Sequence, residues 1–294
     1  MGPAQKNQST SDRLQAHLSL ISKGSRQSAA TLKMVYTAID RKMLVVNNGV
    51  PKSGSTLIQK ALILTGKFEM TIGEWQNPKW KNMSVSHDHL GGFLHSNMWH
   101  DPRNICIKMH CSHCLVQHPG HSHSIKVITS FRNLKDSIVS MAYHNLRVQS
   151  AKNRTRDYWI KDYFSDPCRY GNTAKRLGLH YLDALRNGAY MVNYQDMTDR
   201  KSKTFADMYS YLGISVSEEE LSEICAKTDP GIRSKEDISE GSHVRTGGIS
   251  VAQDELPAFT LQQLDALYSI LVGSIKSEEE YSELCEKVIQ GQPL

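Results

Sequence analysis

A short loop rich in glycine and hydroxyl residues is the part of the sequence best suited to chemistry. It spans residues 49–56 and reads Gly-Val-Pro-Lys-Ser-Gly-Ser-Thr. An apolar run at residues 43–46 precedes it, and a helix-forming run at residues 57–64 follows it. A strand, a tight loop and a helix N-terminus together present backbone N–H groups and the positive end of a helix dipole. The pattern predicts a binding site for a phosphate-like anion.

The position of the lysine distinguishes this loop from a nucleoside-triphosphate loop. Gly49 and Gly54 are spaced as in the motif G-x-x-x-x-G-K-[ST], but Ser55 occupies the place of the motif's lysine. The lysine of this loop is Lys52, three positions earlier. We therefore expect the loop to hold a phosphate-like group with its positive charge in a different place from that of an ATPase.

An alternation of strands and helices predicts the framework that positions this loop. Strands are predicted at residues 43–48, 105–110, 125–130 and 190–194. Helices are predicted at residues 56–65, from 134 onward, and at 172–187, 199–212, 217–227, 260–275 and 277–289, with loops at 66–104 and 228–258. This alternation predicts an α/β fold, a three-layer sandwich with a central parallel sheet. Ligands bind at the carboxyl ends of such strands, where the Lys52 loop, His110, Arg132 and Tyr194 are expected.

Composition narrows the class of protein. A hydrophobic content of 39% and a charged content of 22% are ordinary for a soluble globular protein. The net charge of +5 suits an anionic ligand but is well below that of a nucleic-acid-binding protein. The sequence has no apolar run that could span a bilayer, no apolar signal-peptide core and no regular cysteine framework. We therefore expect a cytoplasmic protein without nucleic-acid or membrane partners.

The loop and four further segments resemble the cytosolic sulfotransferases and follow that family's order, over about residues 40–275. Residues 51–56, Pro-Lys-Ser-Gly-Ser-Thr, resemble the family's P-K-S-G-T-T loop. Residues 108–110, Lys-Met-His, resemble its K-[ST]-H segment. Residues 132–140, Arg-Asn-Leu-Lys-Asp-Ser-Ile-Val-Ser, resemble R-N-P-K-D-x-x-x-S. Residues 194–197 are similar to its Y-E-D-M segment, and residues 244–248 to a degraded R-K-G element.

This resemblance implies a fold like that of the P-loop kinases. It also implies an enzyme that takes a sulfuryl group from 3′-phosphoadenosine 5′-phosphosulfate (PAPS) and releases 3′-phosphoadenosine 5′-phosphate (PAP). By resemblance, His110 is the catalytic base, and Lys52 and Lys108 stabilise the transferring group. The residues implied to bind PAPS are Pro51, Lys52, Ser53, Gly54, Ser55, Thr56, Arg132, Ser140, Tyr194, Arg245 and Gly247. No metal ion is implied, since one sulfuryl group carries less charge than a triphosphate.

The residue types agree with this chemistry on their own. Sulfuryl transfer, like phosphoryl transfer, depends on alignment and on stabilising charge as it moves to the leaving oxygen. A lysine in the anion loop can stabilise that charge, and a histidine at a neighbouring strand end can remove the proton of the acceptor. The fork of an arginine such as Arg132 suits the oxygens of a 3′-phosphate.

Two features depart from the family pattern. The family has a tryptophan directly after the loop, stacked on the adenine, whereas this chain has Leu57. The adenine must then be held more weakly or by another side chain, for which Tyr194 is a candidate. The short C-terminal dimerisation motif of the animal enzymes is not visible, so the oligomeric state is left open.

A run of histidines and cysteines at residues 110–123 raises a zinc site as an alternative. It contains one C-x-x-C pair, Cys111 and Cys114, and no second pair, which favours a loop at the mouth of an acceptor pocket instead. The stretches 66–104 and 111–124 are predicted to line that pocket. Their carboxylates and aromatic rings would suit a polar or cationic acceptor. The chain also resembles microbial tailoring enzymes more than the animal enzymes, and that resemblance implies an acceptor such as a saxitoxin-type alkaloid. Scattered acids on a solvated loop are an equal alternative.

The sequence thus predicts a polar N-terminal extension with a short helix at residues 1–40 and one sulfotransferase domain at residues 41–294. The predicted activity is metal-independent transfer of a sulfuryl group from PAPS to a hydroxyl or amine of a small molecule. Two alternatives remain open. One is an ATP-dependent small-molecule kinase, which the shifted lysine disfavours, and the other is a non-catalytic nucleotide-binding module.

Overall fold

Five parallel strands form a sheet at the centre of the computed structural model. The structure describes residues 43–70, 104–110, 125–149, 156–229, 256–275 and 277–294. The strands are β1 (Leu44–Asn47), β2 (Phe68–Met70), β3 (Asn104–Lys108), β4 (Ile125–Phe131) and β5 (Tyr190–Asn193). Their spatial order is β2–β3–β1–β4–β5, and every neighbouring pair is parallel. The loop that follows β1 therefore leaves from the middle of the sheet.

The described helices follow the strands along the chain. They are α1 (Ser55–Leu64), α2 (Leu134–Gln149), α3 (Arg156–Ser165), α4 (Pro167–Arg186), α5 (Tyr194–Asp199), α6 (Lys201–Leu212), α7 (Glu218–Lys227), α8 (Ala258–Gly273) and α9 (Glu278–Ile289). Side chains at their starts explain several boundaries. Asp166 accepts a hydrogen bond from the Cys168 N–H at the start of α4, and Ser217 forms a capping box with Glu220 at the start of α7.

Two hydrophobic clusters form the core of the described residues. One joins α1, α5, α6 and α7 to the sheet face that carries Val45, Cys106 and Ile128. The other joins α2, α4, α8 and α9 around buried Tyr170 and Tyr281. Helices that cover a parallel sheet are the expected arrangement for strands this apolar. The predicted α/β fold with a central parallel sheet is confirmed.

Strand alternation decides which polar side chains reach α1. In the register of the sheet, Val45 pairs with Cys106 and Asn47 pairs with Lys108. Because side chains two residues apart share a face, Asn47 and Lys108 point to the same side as Val45 and Cys106, the side that α1 covers. Both polar side chains are consequently placed beneath the N-terminal end of α1, next to the anion loop.

Three elements were not predicted from the sequence. Strand β2 and helices α3 and α5 are short, and their hydrophobic patterns are too brief to stand out from the surrounding loops. The expectation that Tyr194 ends a strand is wrong. Tyr194 begins α5, because the Asn193 side chain accepts the Gln195 N–H and caps a helix there.

The start of α4 also differs from the prediction. Helix α4 begins at Pro167 rather than near residue 172, since proline suits the first turn after the cap of Asp166.

The predicted extension at residues 1–40 lies outside the described residues. Among the residues that the structure describes, no helix has the length and apolar character needed to cross a bilayer.

Candidate active site

The loop between β1 and α1 makes a tight turn with two left-handed residues. Lys52 has φ 68° and Gly54 has φ 95°. A left-handed conformation is unusual for lysine, whereas glycine adopts it freely. A Cβ atom on Gly54 would lie 2.7 Å from the ring of Tyr194, so a side chain does not fit there. The backbone is therefore held in a turn whose N–H groups can face an anion.

The first N–H groups of α1 are suited to bind an anion. Among the described residues, the N–H groups of Gly54, Ser55 and Thr56 have no backbone acceptor, whereas Leu57 and Ile58 already donate to the Gly54 carbonyl. Unpaired N–H groups and the positive end of the dipole are properties of every helix start. Here they coincide with the glycine turn, as expected for an anion cradle.

Ser53 holds the loop from inside. Its fully buried hydroxyl lies 2.5 Å from the Val50 carbonyl oxygen, 2.8 Å from the Ser130 carbonyl oxygen and 2.7 Å from the Ser130 hydroxyl. The Ser53 N–H also donates to Val50. The polar groups of Ser53 are thus used within the fold, where they tie the loop to the end of β4. A phosphosulfate contact by Ser53 stays a prediction.

Lys108 brings a buried cation to the start of α1. It is the last residue of β3, its side chain is 8% exposed, and its Nζ donates to the Thr56 hydroxyl at 2.7 Å. Burial lowers the pKa of Lys108 to about 8. Among the described residues its hydrogen-bond partner is a neutral hydroxyl, and a bound anion would stabilise this cation. The structure therefore brings together Lys108 and Thr56, two residues that the sequence predicted for the donor site.

His110 lies two residues beyond Lys108 and contacts the anion loop. Its Nδ1 is 2.5 Å from the Gly49 carbonyl oxygen. A carbonyl oxygen only accepts hydrogen bonds, so Nδ1 carries the hydrogen and Nε2 is left as the basic nitrogen. The pKa of His110 is lowered to about 4, mainly by burial; the hydrogen bond to Gly49 opposes the lowering, and the charges of Lys108, His180 and Lys52 contribute to it. His110 is accordingly neutral at neutral pH, as a general base must be.

Arg132 is oriented by its neighbours on α2 and by an aromatic ring. Its guanidinium lies 3.4 Å from the buried carboxylate of Asp136, which also accepts a hydrogen bond from Asn133 at 2.8 Å. The Arg132 Cζ lies 4.3 Å from the centroid of the Tyr194 ring, a cation–π geometry. Tyr194 in turn packs against Gly54. Arg132 and Tyr194 are thus brought together at the edge of the loop.

The remaining predicted residues fall into two groups. Ser140 is half-buried on α2, and Pro51 is half-buried at the tip of the loop. Arg245 and Gly247 lie outside the described residues, as do residues 111–123 of the histidine and cysteine run. Within the part of the chain that the structure describes, no group of three or more potential ligands is placed to hold a metal ion.

Sequence reasoning missed three polar residues beside the loop. Asn47 is buried and donates to the Ser55 carbonyl at 2.6 Å, and Ser130 ties the loop to β4. His180, on α4, lies with its Nε2 2.9 Å from the Asn48 carbonyl oxygen. Polar residues at the ends of predicted strands could have pointed to Asn47 and Ser130. His180 follows no motif and is 132 residues from Asn48, so no local signal marks it.

Solved structures with the same fold include nucleotide complexes. Mouse sulfotransferase SULT7A1, complexed with PAP, aligns with a TM-score of 0.54 and 16% identity over 86% of this chain and 93% of that chain. Retinol dehydratase, in complex with androsterone and the inactive cofactor PAP, aligns with a TM-score of 0.51 and 15% identity over 84% and 86% of the two chains. At these identities the similarity is one of fold.

The sequence itself matches a family over most of the described core. No curated protein matches the chain by sequence. The sulfotransferase domain family, in contrast, matches residues 40–230, which include β1, the anion loop, Lys108, His110, Arg132 and Tyr194. This span covers all five strands of the sheet and well over half of the chain. The chain belongs to the sulfotransferase family.

Proposed function

We propose that this protein transfers a sulfuryl group from PAPS to a hydroxyl or amine of a small molecule, with His110 as the general base and without a metal ion. The proposal rests on three features that lie close together at the carboxyl end of the sheet. These are the N–H groups at the start of α1, the buried cation of Lys108 and the basic Nε2 of His110. Family membership supports the reaction class.

The loop and its cations fit the phosphosulfate end of the donor. PAPS supplies the sulfuryl group, and PAP leaves with the oxygen that joined sulfur to the 5′-phosphate. The N–H groups of Gly54, Ser55 and Thr56 would hold the oxygens of that phosphate. Lys108 and Lys52 would stabilise the negative charge that grows on the leaving oxygen, which is where such stabilisation speeds transfer.

His110 is suited to remove the acceptor's proton. Its Nδ1–H is held by the Gly49 carbonyl, so the ring is fixed in the tautomer that accepts a proton at Nε2. The proton of the acceptor hydroxyl or amine would pass to Nε2 as the new bond to sulfur forms. Positioned general bases typically contribute about 10²–10⁴ in rate. The low pKa of His110 keeps its ring unprotonated at neutral pH, so Nε2 can accept a proton.

Arg132 and Tyr194 fit the nucleoside end of the donor. The guanidinium of Arg132 would bind the 3′-phosphate, with Ser140 and Arg245 as the further contacts that the family resemblance implies. The Tyr194 ring lies beside the loop, between Gly54 and Arg132. It would serve as the aromatic partner of the adenine, because the half-buried Leu57 has no aromatic face.

The acceptor stays the prediction made from the sequence, a polar or cationic small molecule. A hydroxyl-bearing guanidinium compound of the saxitoxin type is the most specific version of it. The test is a panel of phenols, aliphatic alcohols, arylamines and guanidinium alcohols, each incubated with the full chain and PAPS. Release of PAP and a mass increase of the acceptor by one sulfuryl group would identify the substrate class.

Donor binding is tested by calorimetric titration of the full chain with PAP and, separately, with ATP and Mg²⁺. We expect PAP to bind and ATP with Mg²⁺ to bind far more weakly. Replacing Arg132 with Gln should weaken PAP binding by about 10- to 100-fold, since hydrogen bonds to charged groups contribute roughly 1.5–3 kcal/mol. Lys135→Gln is the matched control, because Lys135 is a cation on the same helix that pairs with Asp265 at 2.9 Å.

Two results would overturn the proposal. Tight binding of ATP with Mg²⁺ and none of PAP would indicate a kinase instead. PAP binding without transfer to any acceptor, and with no change in PAPS turnover in the His110→Asn variant, would indicate a non-catalytic nucleotide-binding module.

A further inference from the structure

Lys52 holds a backbone conformation that its side chain disfavours. Its φ is 68°, and it is the one residue other than glycine with a positive φ in the part of the chain that the structure describes. In this left-handed region the Cβ atom lies too close to the following carbonyl oxygen, so the conformation costs free energy. Such strain persists where the surrounding structure imposes it, and it is concentrated at functional sites. Contacts on either side of Lys52 must therefore hold the turn.

The residues that flank Lys52 are both anchored to Ser130. Two positions before Lys52, the Val50 N–H donates to the Ser130 carbonyl at 2.8 Å. Directly after Lys52, the Ser53 hydroxyl lies 2.8 Å from the same carbonyl oxygen and 2.7 Å from the Ser130 hydroxyl. Ser130 belongs to β4, which pairs with β1 on one side and with β5 on the other. The turn is thus closed against one residue of the sheet.

The Ser130 hydroxyl completes this anchor as a hydrogen-bond donor. The Ser53 hydroxyl has one hydrogen, and its Oγ lies beside the carbonyl oxygens of Val50 and Ser130, which only accept. That hydrogen goes to a carbonyl, so the Ser130 hydroxyl donates to Ser53 Oγ. Both serines are fully buried, so bulk water does not compete for these bonds. Loss of the Ser130 hydroxyl would leave Ser53 Oγ without its donor and would weaken the anchor.

The Ser130 side chain also packs against the first residue of the loop. A Cβ atom on Gly49 would lie 2.4 Å from Ser130 Oγ, so the hydroxyl fills the space beside the Gly49 backbone. The Gly49 carbonyl oxygen lies 2.5 Å from Nδ1 of His110. The Ser130 hydroxyl therefore contacts the loop both before and after Lys52, at Gly49 and at Ser53.

We propose that Ser130 is a positioning residue of the active site, whose hydroxyl holds Lys52 in its left-handed turn and so fixes where the Lys52 side chain begins. Its catalytic meaning rests on the proposed sulfuryl transfer, in which Lys52 stabilises the charge on the leaving oxygen. In the described part of the chain, Ser130 anchors Val50 and Ser53 rather than the N–H groups at the start of α1. Ser130 thus acts on the rate of transfer more than on the binding of the 5′-phosphate.

The test combines Ser130→Ala with Lys52→Met in a double-mutant cycle. Ser130→Ala removes the hydroxyl and keeps the carbonyl, whereas Lys52→Met removes the ammonium and keeps a long side chain. Thr260→Val is the matched control, because it removes another buried hydroxyl, which donates to the Phe164 carbonyl at 3.1 Å between α8 and α3.

Three measurements on the full chain follow each variant. Hydrogen–deuterium exchange with mass spectrometry, on the free protein, reports how often the loop opens. Calorimetric titration gives the Kd of PAP. The kcat is measured with ³⁵S-labelled PAPS and an acceptor from the panel.

In the free protein, the N–H groups of Val50 and Ser53 should exchange about 2- to 10-fold faster in Ser130→Ala, the effect of one lost hydrogen bond on local opening. Ser130→Ala should lower kcat by about 3- to 10-fold and change the Kd of PAP by less than about twofold. In the Lys52→Met background the same change should alter kcat by less than about twofold, because the group that Ser130 positions is gone. Thr260→Val should leave kcat and the exchange of the loop as in the wild type.

Unchanged exchange at Val50 and Ser53 in Ser130→Ala would overturn the inference, whether or not the protein transfers a sulfuryl group. An equal loss of kcat in the presence and absence of the Lys52 ammonium would overturn it as well, since Ser130 would then act by another route. If PAP does not bind and PAPS is not consumed, the proposed function fails. Faster exchange in Ser130→Ala would in that case still show that the Ser130 hydroxyl holds the loop.

Discussion

Polar groups are buried both at the carboxyl end of the sheet and inside the layer formed by α4, α8 and α9, but they are paired differently. In the helical layer, the Tyr281 hydroxyl donates to the Ala174 carbonyl at 2.9 Å and the Tyr170 hydroxyl donates to Gln263 at 2.6 Å. At the sheet end, the Lys108 cation donates to the neutral Thr56 hydroxyl at 2.7 Å. In the helical layer, neutral donors are hydrogen-bonded to neutral acceptors. At the sheet end, the positive charge of Lys108 is hydrogen-bonded to a neutral hydroxyl, which does not neutralise it.

This contrast separates stability from function. A buried hydroxyl with a partner costs little and helps to specify packing, since its hydrogen bond replaces one to water. A buried cation with a neutral partner destabilises the folded state, because desolvation is only partly offset. A protein retains such a cation where a ligand supplies the missing charge, and strongly shifted pKa values are common at active sites. Substitutions in the two regions should therefore have different consequences.

The largest expected effect is on catalysis at the sheet end. His110→Asn keeps a donor near the Gly49 carbonyl and removes the basic Nε2, so kcat should fall by about 10²–10⁴ while the melting temperature changes little. The matched variant in the helical layer is Tyr281→Phe, which should lose roughly 1 kcal/mol of unfolding free energy and keep kcat. Initial rates with PAPS and an acceptor from the panel, together with urea denaturation, measure both. If His110→Asn kept more than a tenth of the wild-type kcat, the prediction that the sheet end serves catalysis and the helical layer serves stability would be wrong.

The second effect is on packing in the helical layer. A Cβ atom on Gly178 would lie 2.1 Å from the ring of Tyr281, which is fully buried and cannot move aside. Gly178→Ala should therefore destabilise the protein by about 1–3 kcal/mol or more, through overpacking. The control is Gly273→Ala, because a Cβ atom on Gly273 meets no heavy atom within 4 Å. Urea denaturation of both variants is the measurement.

A rescue experiment makes the packing prediction more specific. The double variant Gly178→Ala with Tyr281→Leu gives the new methyl group space, so its loss of stability should be smaller than the sum of the two single losses. Strict additivity, or equal effects of the alanines at 178 and 273, would show that Tyr281 does not limit the space at Gly178.

The smallest effect is a pH dependence of stability caused by Lys108. Burial lowers the pKa of Lys108 in the folded state from 10.5 to about 8. Between these two pH values the unfolded chain binds more protons than the folded chain, so the contribution of Lys108 to the unfolding free energy rises with pH. Lys108→Met should therefore be more stable than the wild type at pH 8. This difference in unfolding free energy should shrink by about 1–2 kcal/mol between pH 8 and pH 10.

Urea denaturation of both proteins at several pH values measures this difference, in which the contributions of the other titrating groups cancel. Lys135→Met is the control, because the positive charge of Lys135 on α2 is paired with the half-exposed Asp265 carboxylate at 2.9 Å. A constant difference between wild type and Lys108→Met across this range would mean that Lys108 titrates normally. The contrast between the two regions would then lose its electrostatic basis.

Much of the sheet end was predictable from local sequence. The apolar run before Asn47, the two glycines and the helix-forming run after Thr56 predicted a strand, a turn and a helix, and the structure has β1, the left-handed Gly54 and α1 in those places. The segment Lys108–His110 was expected beside the loop because parallel strands end at a common edge, and both side chains contact it.

Other features could not be predicted, and the reason differs from case to case. Tyr194 was expected at a strand end, but the capping side chain of Asn193 starts a helix there instead. Ser53 was expected to bind the phosphosulfate, and the sequence did not show that its hydroxyl lies against Val50 and Ser130. Backbone propensity does not determine which way a small side chain turns when partners are available on two sides.

The sequence by itself determined the alternation of the longer strands and helices, the anion loop with Lys52 and the family to which the chain belongs. These depend on residue types within a few positions of one another, which is the range over which backbone preference and hydrophobic period act. Only the tertiary structure decided that His180 faces Asn48, that Arg132 lies over Tyr194 and that Lys108 is buried. Desolvation and hydrogen-bond partners depend on neighbours distant in the chain, and they set the protonation of the residues that would perform the chemistry.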